Sequence, residues 1–152
     1  MFMGKLACLA GGLWLAAGPA LAATDVVFTG TVSDTCTLAV PTPGIMTLSG
    51  DGKTLGSDQT LGVPATVTVV SLGSNSVTLA APTLTDAPSG YAGGETVQMS
   101  YSGLASHAYT SQQQSFALGI LPLTNLIINM QVLNPNGFVQ GTYKAKTVLT
   151  CS

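Results

Sequence analysis

The chain contains no arginine, and its basic side chains are Lys5, Lys53, Lys144, Lys146 and the single histidine, His107. Nucleic-acid binders neutralise several phosphates with clustered Lys and Arg, so this composition excludes that class of partner. Without Arg there is also no bidentate fork for carboxylate, phosphate or sulfate. Sugars, apolar surfaces and backbone pairing remain as modes of recognition. Charged residues make up 7% and aromatic residues 6% of the 152 positions, against 46% hydrophobic. With a mean hydropathy of +0.47, this is the reverse of a disordered composition, which combines low hydrophobicity with high net charge. No Gly-rich phosphate loop and no nucleophile-elbow pattern occurs. The length suits one domain with its own core.

What is present begins with a targeting pattern. Lys5 gives a positive start, Leu6 to Ala17 is apolar, and Gly18-Pro19 breaks the run before Ala20-Leu21-Ala22. Small residues at the two positions a signal peptidase reads identify residues 1–22 as a secretory signal. The run is too short for a membrane span, and no later stretch is long and apolar enough to be one. Cys8 has no apolar run upstream and does not read as a lipoprotein cysteine. The expected mature chain is residues 23–152, exported and forming a single domain. Cleavage leaves two cysteines, Cys36 and Cys151. An even pair in an exported chain reads as one disulfide, here tying the first strand to the penultimate residue. Closing so long a loop constrains the unfolded chain by about 4–5 kcal/mol in the entropy model. Two cysteines and one histidine supply too few ligands for a metal site, and no cofactor is expected.

The rest of the chain alternates with period two. Val26, Phe28, Gly30 and Val32 share one face of an expected first strand. Val63, Ala65, Val67 and Val69 follow, then Val77 and Leu79, then Val97, Met99 and Tyr101, then Phe116, Leu118 and Ile120. Leu126, Ile128, Met130 and Val132 form the strongest apolar stripe. A last strand sets Tyr143, Ala145, Thr147, Leu149 and Cys151 against Lys144 and Lys146. Turn residues separate these runs at Pro41-Thr42-Pro43-Gly44, Gly50-Asp51-Gly52-Lys53, Ser71 to Asn75, Ala87 to Gly94 and Asn134-Pro135-Asn136-Gly137. Short alternating runs between turns predict an all-β, antiparallel sandwich.

Candidate chemistry is thin. His107 lies in a stretch that reads as a loop or short edge strand, and the acids Asp25, Asp34, Asp51, Asp58, Asp86 and Glu95 are scattered, several of them in turns. Asp51 and Asp58 match no calcium loop in their spacing. A Ser-His-Asp site would require His107 to reach an acid and a serine in a cleft, and the expectation is a protein without catalysis. Tyr91, Tyr101, Tyr109 and Phe138 are the aromatics available for a sugar-binding surface. Tyr101 is placed in the core by its strand phase, which leaves Tyr91 and Tyr109 as the possible ligand surface.

Phe28-Thr-Gly30-Thr-Val32 running into Cys36 resembles the opening strand of chaperone–usher fimbrial subunits. Gly141-Thr-Tyr143 followed by Lys-Ala-Lys-Thr-Val-Leu-Thr is similar to their final strand. The resemblance covers the two ends of the mature chain. It implies an immunoglobulin-like antiparallel β-sandwich that lacks its last strand and is completed by strand addition. It also implies a pilin-like structural subunit of surface fimbriae, located in the bacterial periplasm, at the cell surface or in the fimbrium. Its partners would be other copies or related subunits, a periplasmic chaperone and an outer-membrane usher. Val26, Phe28, Gly30 and Val32 would be the assembly strand, and Gly141, Tyr143, Ala145 and Leu149 would belong to the final strand. The chain differs from the family where Cys36 finds its partner at Cys151, where Cys151 stands in place of the penultimate tyrosine, and in the short stretch before Phe28. If the first strand is internal instead, the protein is a self-contained exported carbohydrate- or protein-binding module, adhesin-like, with a complete sandwich.

Overall fold

The computed structural model describes residues 27–31 and 33–152. The described residues contain twelve strands and no helix. In chain order they are β1 (Thr35–Thr42), β2 (Thr47–Leu48), β3 (Thr54–Gly56), β4 (Ala65–Leu72), β5 (Asn75–Leu79), β6 (Thr83–Asp86), β7 (Thr96–Gly103), β8 (His107–Thr110), β9 (Gln114–Leu118), β10 (Leu121–Leu133), β11 (Lys144–Lys146) and β12 (Leu149–Cys151). Every strand pairing is antiparallel.

The long strand β10 organises the larger, seven-stranded sheet. Along one edge it pairs with β7 from Leu126 to Leu133. Along the other it pairs first with β4, between Leu121 and Ile128, and then with β3 at Gln131 to Leu133. β1 lies outside β4, β2 outside β3 and β8 outside β7. β7 stops at Gly103, whose φ of +109 suits a residue without Cβ; a methyl there would sit 2.5 Å from the Asn125 carbonyl oxygen. A three-stranded sheet has the order β12-β5-β9, and β11 pairs with β6 in a two-stranded one.

Alternation then decides what is buried. Val67 and Val69 of β4, Met99 and Tyr101 of β7 and Leu126 and Ile128 of β10 turn inward from the large sheet. They meet Val77 and Leu79 of β5 and Leu118 of β9 in one cluster. The β-branched residues that dominate this set favour strands because they pack well on a pleated, half-buried surface.

Three expectations change. The described residues 27–31 form no strand; the first strand begins at Thr35, with Cys36 its second residue. Val27 and Phe28 are 80% and 91% exposed. Val26 and Val32 lie outside the described residues. The stripe ending at Ile120 stops at Leu118, and Ile120 is exposed where the chain turns into β10. The single last strand is two strands. β11 pairs with β6 and β12 with β5, because the partner edge is itself broken at Ala80-Ala81-Pro82, where proline supplies no ladder donor. The Thr147 hydroxyl donates to the Ala80 carbonyl, and the Ala80 amide donates to Val148, so the chain is held across the break.

The Asn134–Gly137 turn forms, with Gly137 at φ +78 and its amide 3.0 Å from the Asn134 carbonyl oxygen. It does not close a hairpin with β10. The chain runs on through residues 138–143 before it pairs with β6.

Candidate functional site

An open apolar groove of about 810 Å³ lies beside the two last strands. One lip is the chain leaving β1: Val40, Pro43, Ile45 and Met46. The other is the segment that carries Tyr143, Ala145 and Leu149. Val67 of β4, Leu55 of β3 and Ile128 and Met130 of β10 lie beneath. Val40 and Ile45 are 59% and 54% exposed, so the apolar surface continues out of the groove onto its rim.

On the first lip Ile45 is paired with Val63 through both its amide and its carbonyl, while β1 and β11 each have one ladder partner only among the described residues. Among the described residues β1 pairs with β4, β11 with β6 and β12 with β5, and no ladder links β1 to β11 or β12. Val40 lies where the β1 register slips between Ala39 and Thr42. The lips are joined covalently. Cys36 of β1 is bonded to Cys151 of β12, with their α-carbons 6.0 Å apart, a separation ordinary for a disulfide. The bridge spans 115 residues of sequence. It forms between the two cysteines expected to pair.

The charged residues lining the groove are Lys144 and Lys146. Lys144 Nζ lies 3.2 Å from Asp86 Oδ2, across the β11–β6 ladder. That is the ion pair found among the described residues. Both lysines alternate with Ala145, which faces inward.

Tyr143 connects this groove to an aromatic cluster. Its ring meets Tyr91 and Phe138 edge-on, each with ring centres 5.2 Å apart, and Tyr91 stacks on Phe138 at 6.0 Å. The Tyr143 hydroxyl donates to the Val139 carbonyl and accepts from the Val139 amide. Tyr91 donates to Glu95 at 3.1 Å and accepts from the Asn134 side-chain amide at 2.9 Å. Burial, then the Glu95 carboxylate, raises the Tyr91 phenol above its ordinary range. Asn134 is buried and satisfied: its Oδ1 accepts from the Asn136 backbone amide, and its backbone amide donates to the Lys53 carbonyl.

Tyr91 is therefore held between other rings and polar partners. Tyr109 is elsewhere, on β8, beside β7 on the far side of the large sheet's order from β1. Its hydroxyl is buried without a hydrogen-bond partner, and burial followed by the Asp58 carboxylate pushes its pKa up to about 12. The structure does not bring Tyr91 and Tyr109 into one cluster. Tyr101 packs in the core as its phase predicts.

His107 opens β8, stacks on Tyr101 at 5.9 Å, and places Nδ1 2.7 Å from the carbonyl of its neighbour Ala108. Among the described residues no group of three or more His, Cys, Asp or Glu side chains is gathered for a metal. Gly30 and Phe28 lie in the unpaired 27–31 segment, and Gly141 lines the groove beside Tyr143. Sequence patterns missed the groove's first lip because Pro41 to Gly44 reads only as a chain break. Comparison with known protein families, curated proteins and solved structures finds no match for this chain.

Proposed function

We propose that this protein is an exported, pilin-like structural subunit that assembles into surface fimbriae by β-strand addition. The observation that carries the reading is the groove: exposed apolar side chains over the core, flanked by strand edges that lack a ladder partner. An immunoglobulin-like sandwich missing one strand would have this shape. An extended segment laid between β1 and β11, beyond the end closed by the Cys36–Cys151 bridge, would satisfy backbone groups by main-chain hydrogen bonds, while every second side chain fills the groove. Each Val or Phe so buried contributes roughly 1.5–3 kcal/mol. Val27 and Phe28, exposed and outside any strand, belong to a segment of this alternating kind. Val26, Phe28 and Val32 would be its inward residues.

The partners in this reading are other copies or related subunits, with a periplasmic chaperone shielding the groove and an outer-membrane usher receiving the subunit. The disulfide suits an oxidising compartment such as the periplasm or cell surface. The protein is no enzyme in this reading and uses no cofactor. A self-contained adhesin-like module would be expected to close its own edge, and the groove favours the subunit over it.

The test is a gel of cell-surface material in SDS, with and without boiling, probed for this chain. A ladder of multimers that collapses on boiling is expected, because strand-completed subunits resist detergent until heated. A single monomer band in both lanes would overturn the proposal and put the self-contained module in its place.

A further inference from the structure

The groove is apolar apart from its lysines, and those are two of the four in the sequence. Lys144 is matched by Asp86. Lys146 faces Thr83 in the β11–β6 ladder, is exposed, and has no carboxylate paired with it among the described residues. A strand seated against β11 removes water from around that ammonium group. An uncompensated charge at a newly covered rim opposes binding, whereas an opposite charge on the partner speeds encounter and discriminates among partners.

We infer that Lys146 is a specificity-determining residue of the groove, selecting strands that carry a carboxylate where they cross β11. The inference rests on the strand-addition reading above. The occupant is the N-terminal segment of a second copy. Residues 25–34 read Asp-Val-Val-Phe-Thr-Gly-Thr-Val-Ser-Asp, with an acid at each end and no basic residue. Extended, the segment spans about 30 Å at roughly 3.3 Å per residue. β11 and β12 follow one another along the same lip. A strand running parallel to them brings Asp25 towards Lys146, and one running antiparallel brings Asp34. In a chain with only 7% charged residues, this match of lysine and terminal acid is the electrostatic feature that distinguishes its own segment from other apolar strands.

The experiment mixes the full mature chain with a labelled peptide of residues 23–34 and follows the association rate at low and high salt. Lys146→Glu is expected to slow association about tenfold at low salt, and the difference should shrink at high salt as exposed charges are screened. Lys146→Gln should fall between the two and guards against a fold defect in the charge reversal. A peptide with Asp25→Lys or with Asp34→Lys should restore the rate on the Lys146→Glu protein, and the one that does so gives the strand's direction. Equal rates for all three proteins, or slowing that neither peptide repairs, would overturn the inference and leave strand addition standing. No binding to the unaltered protein would overturn strand addition itself.

Discussion

Phe28→Asp separates the two places the N-terminal segment can occupy. Phe28 is 91% exposed and belongs to no strand, so little of its side chain is withdrawn from water. Substitutions at such positions usually change stability by no more than about 0.5 kcal/mol. Seated in a neighbour's groove, the same side chain would contribute up to about 3 kcal/mol of burial. Its replacement adds an unpaired carboxylate in apolar surroundings, costing about 2 kcal/mol more even when water partly reaches it. A total near 5 kcal/mol corresponds to between three and four decades in Kd. Urea unfolding of the monomer should therefore keep its midpoint, while the heat-sensitive ladder disappears. Loss of more than about 2 kcal/mol from the monomer would place Phe28 in its own core and refute the reasoning. An intact ladder would refute it from the other side.

Reducing the Cys36–Cys151 bridge, or replacing both cysteines by Ala, should lower stability by about 4–5 kcal/mol for a loop of this length in the entropy model. Urea curves with and without reductant measure it, and a loss under about 1 kcal/mol would mean that the lips are held together by other contacts. Asn134→Ala removes the amide that serves Tyr91 and the oxygen that caps the Asn136 amide, and should cost about 1–3 kcal/mol in the same assay. Tyr109 gives a pH signature. Its folded pKa of about 12 lies above the ordinary phenol value of 10.0, so above pH 10 the unfolded chain loses a proton that the folded chain keeps. Stability should be full below that pH and fall as pH rises towards 12; Tyr109→Phe should flatten this part of the unfolding profile, and an unchanged profile would show that another group sets it.

The strand interiors were legible because alternation needs only the residues themselves. Val67 and Val69, Val77 and Leu79, Met99 and Tyr101, and Leu126 and Ile128 all point inward as their phase predicts. Burial of one face fixes that phase, since a slip of one residue would expose the whole set. Strand ends were less visible. Ile120 continues the stripe of Phe116 and Leu118, yet the chain has already turned towards β10 there. The short strands β2, β3 and β6 carry too few residues to show a period, and their existence depends on partners distant in sequence, such as Gln131 to Leu133 for β3. Ser57 is the clearest buried polar residue that pattern missed. Its hydroxyl donates to Asn129 and accepts the Met130 amide, and both partners lie far along the chain.

The groove is harder to read because it is bounded by segments far apart in sequence, residues 40–46 and 141–149. Tyr143, Ala145 and Leu149 carry an ordinary inward alternation, and nothing in that pattern says whether a further strand will lie beside them. The opposite lip gives a reason why β1 takes no second partner. Pro41 stands within β1 and Pro43 just after it, so two backbone donors are absent where β1 would otherwise continue its pairing. Proline and lysine are the residues with which natural sheets blunt exposed edges. Here they stand on opposite sides of the same groove, with Lys144 and Lys146 on β11. On the strand-addition reading an arriving strand would take most of its main-chain hydrogen bonds from β11, where no proline interrupts the donors. In that reading Lys146 would have two effects that reinforce one another: it would discourage indiscriminate edge pairing, and it would favour a strand that brings its own carboxylate.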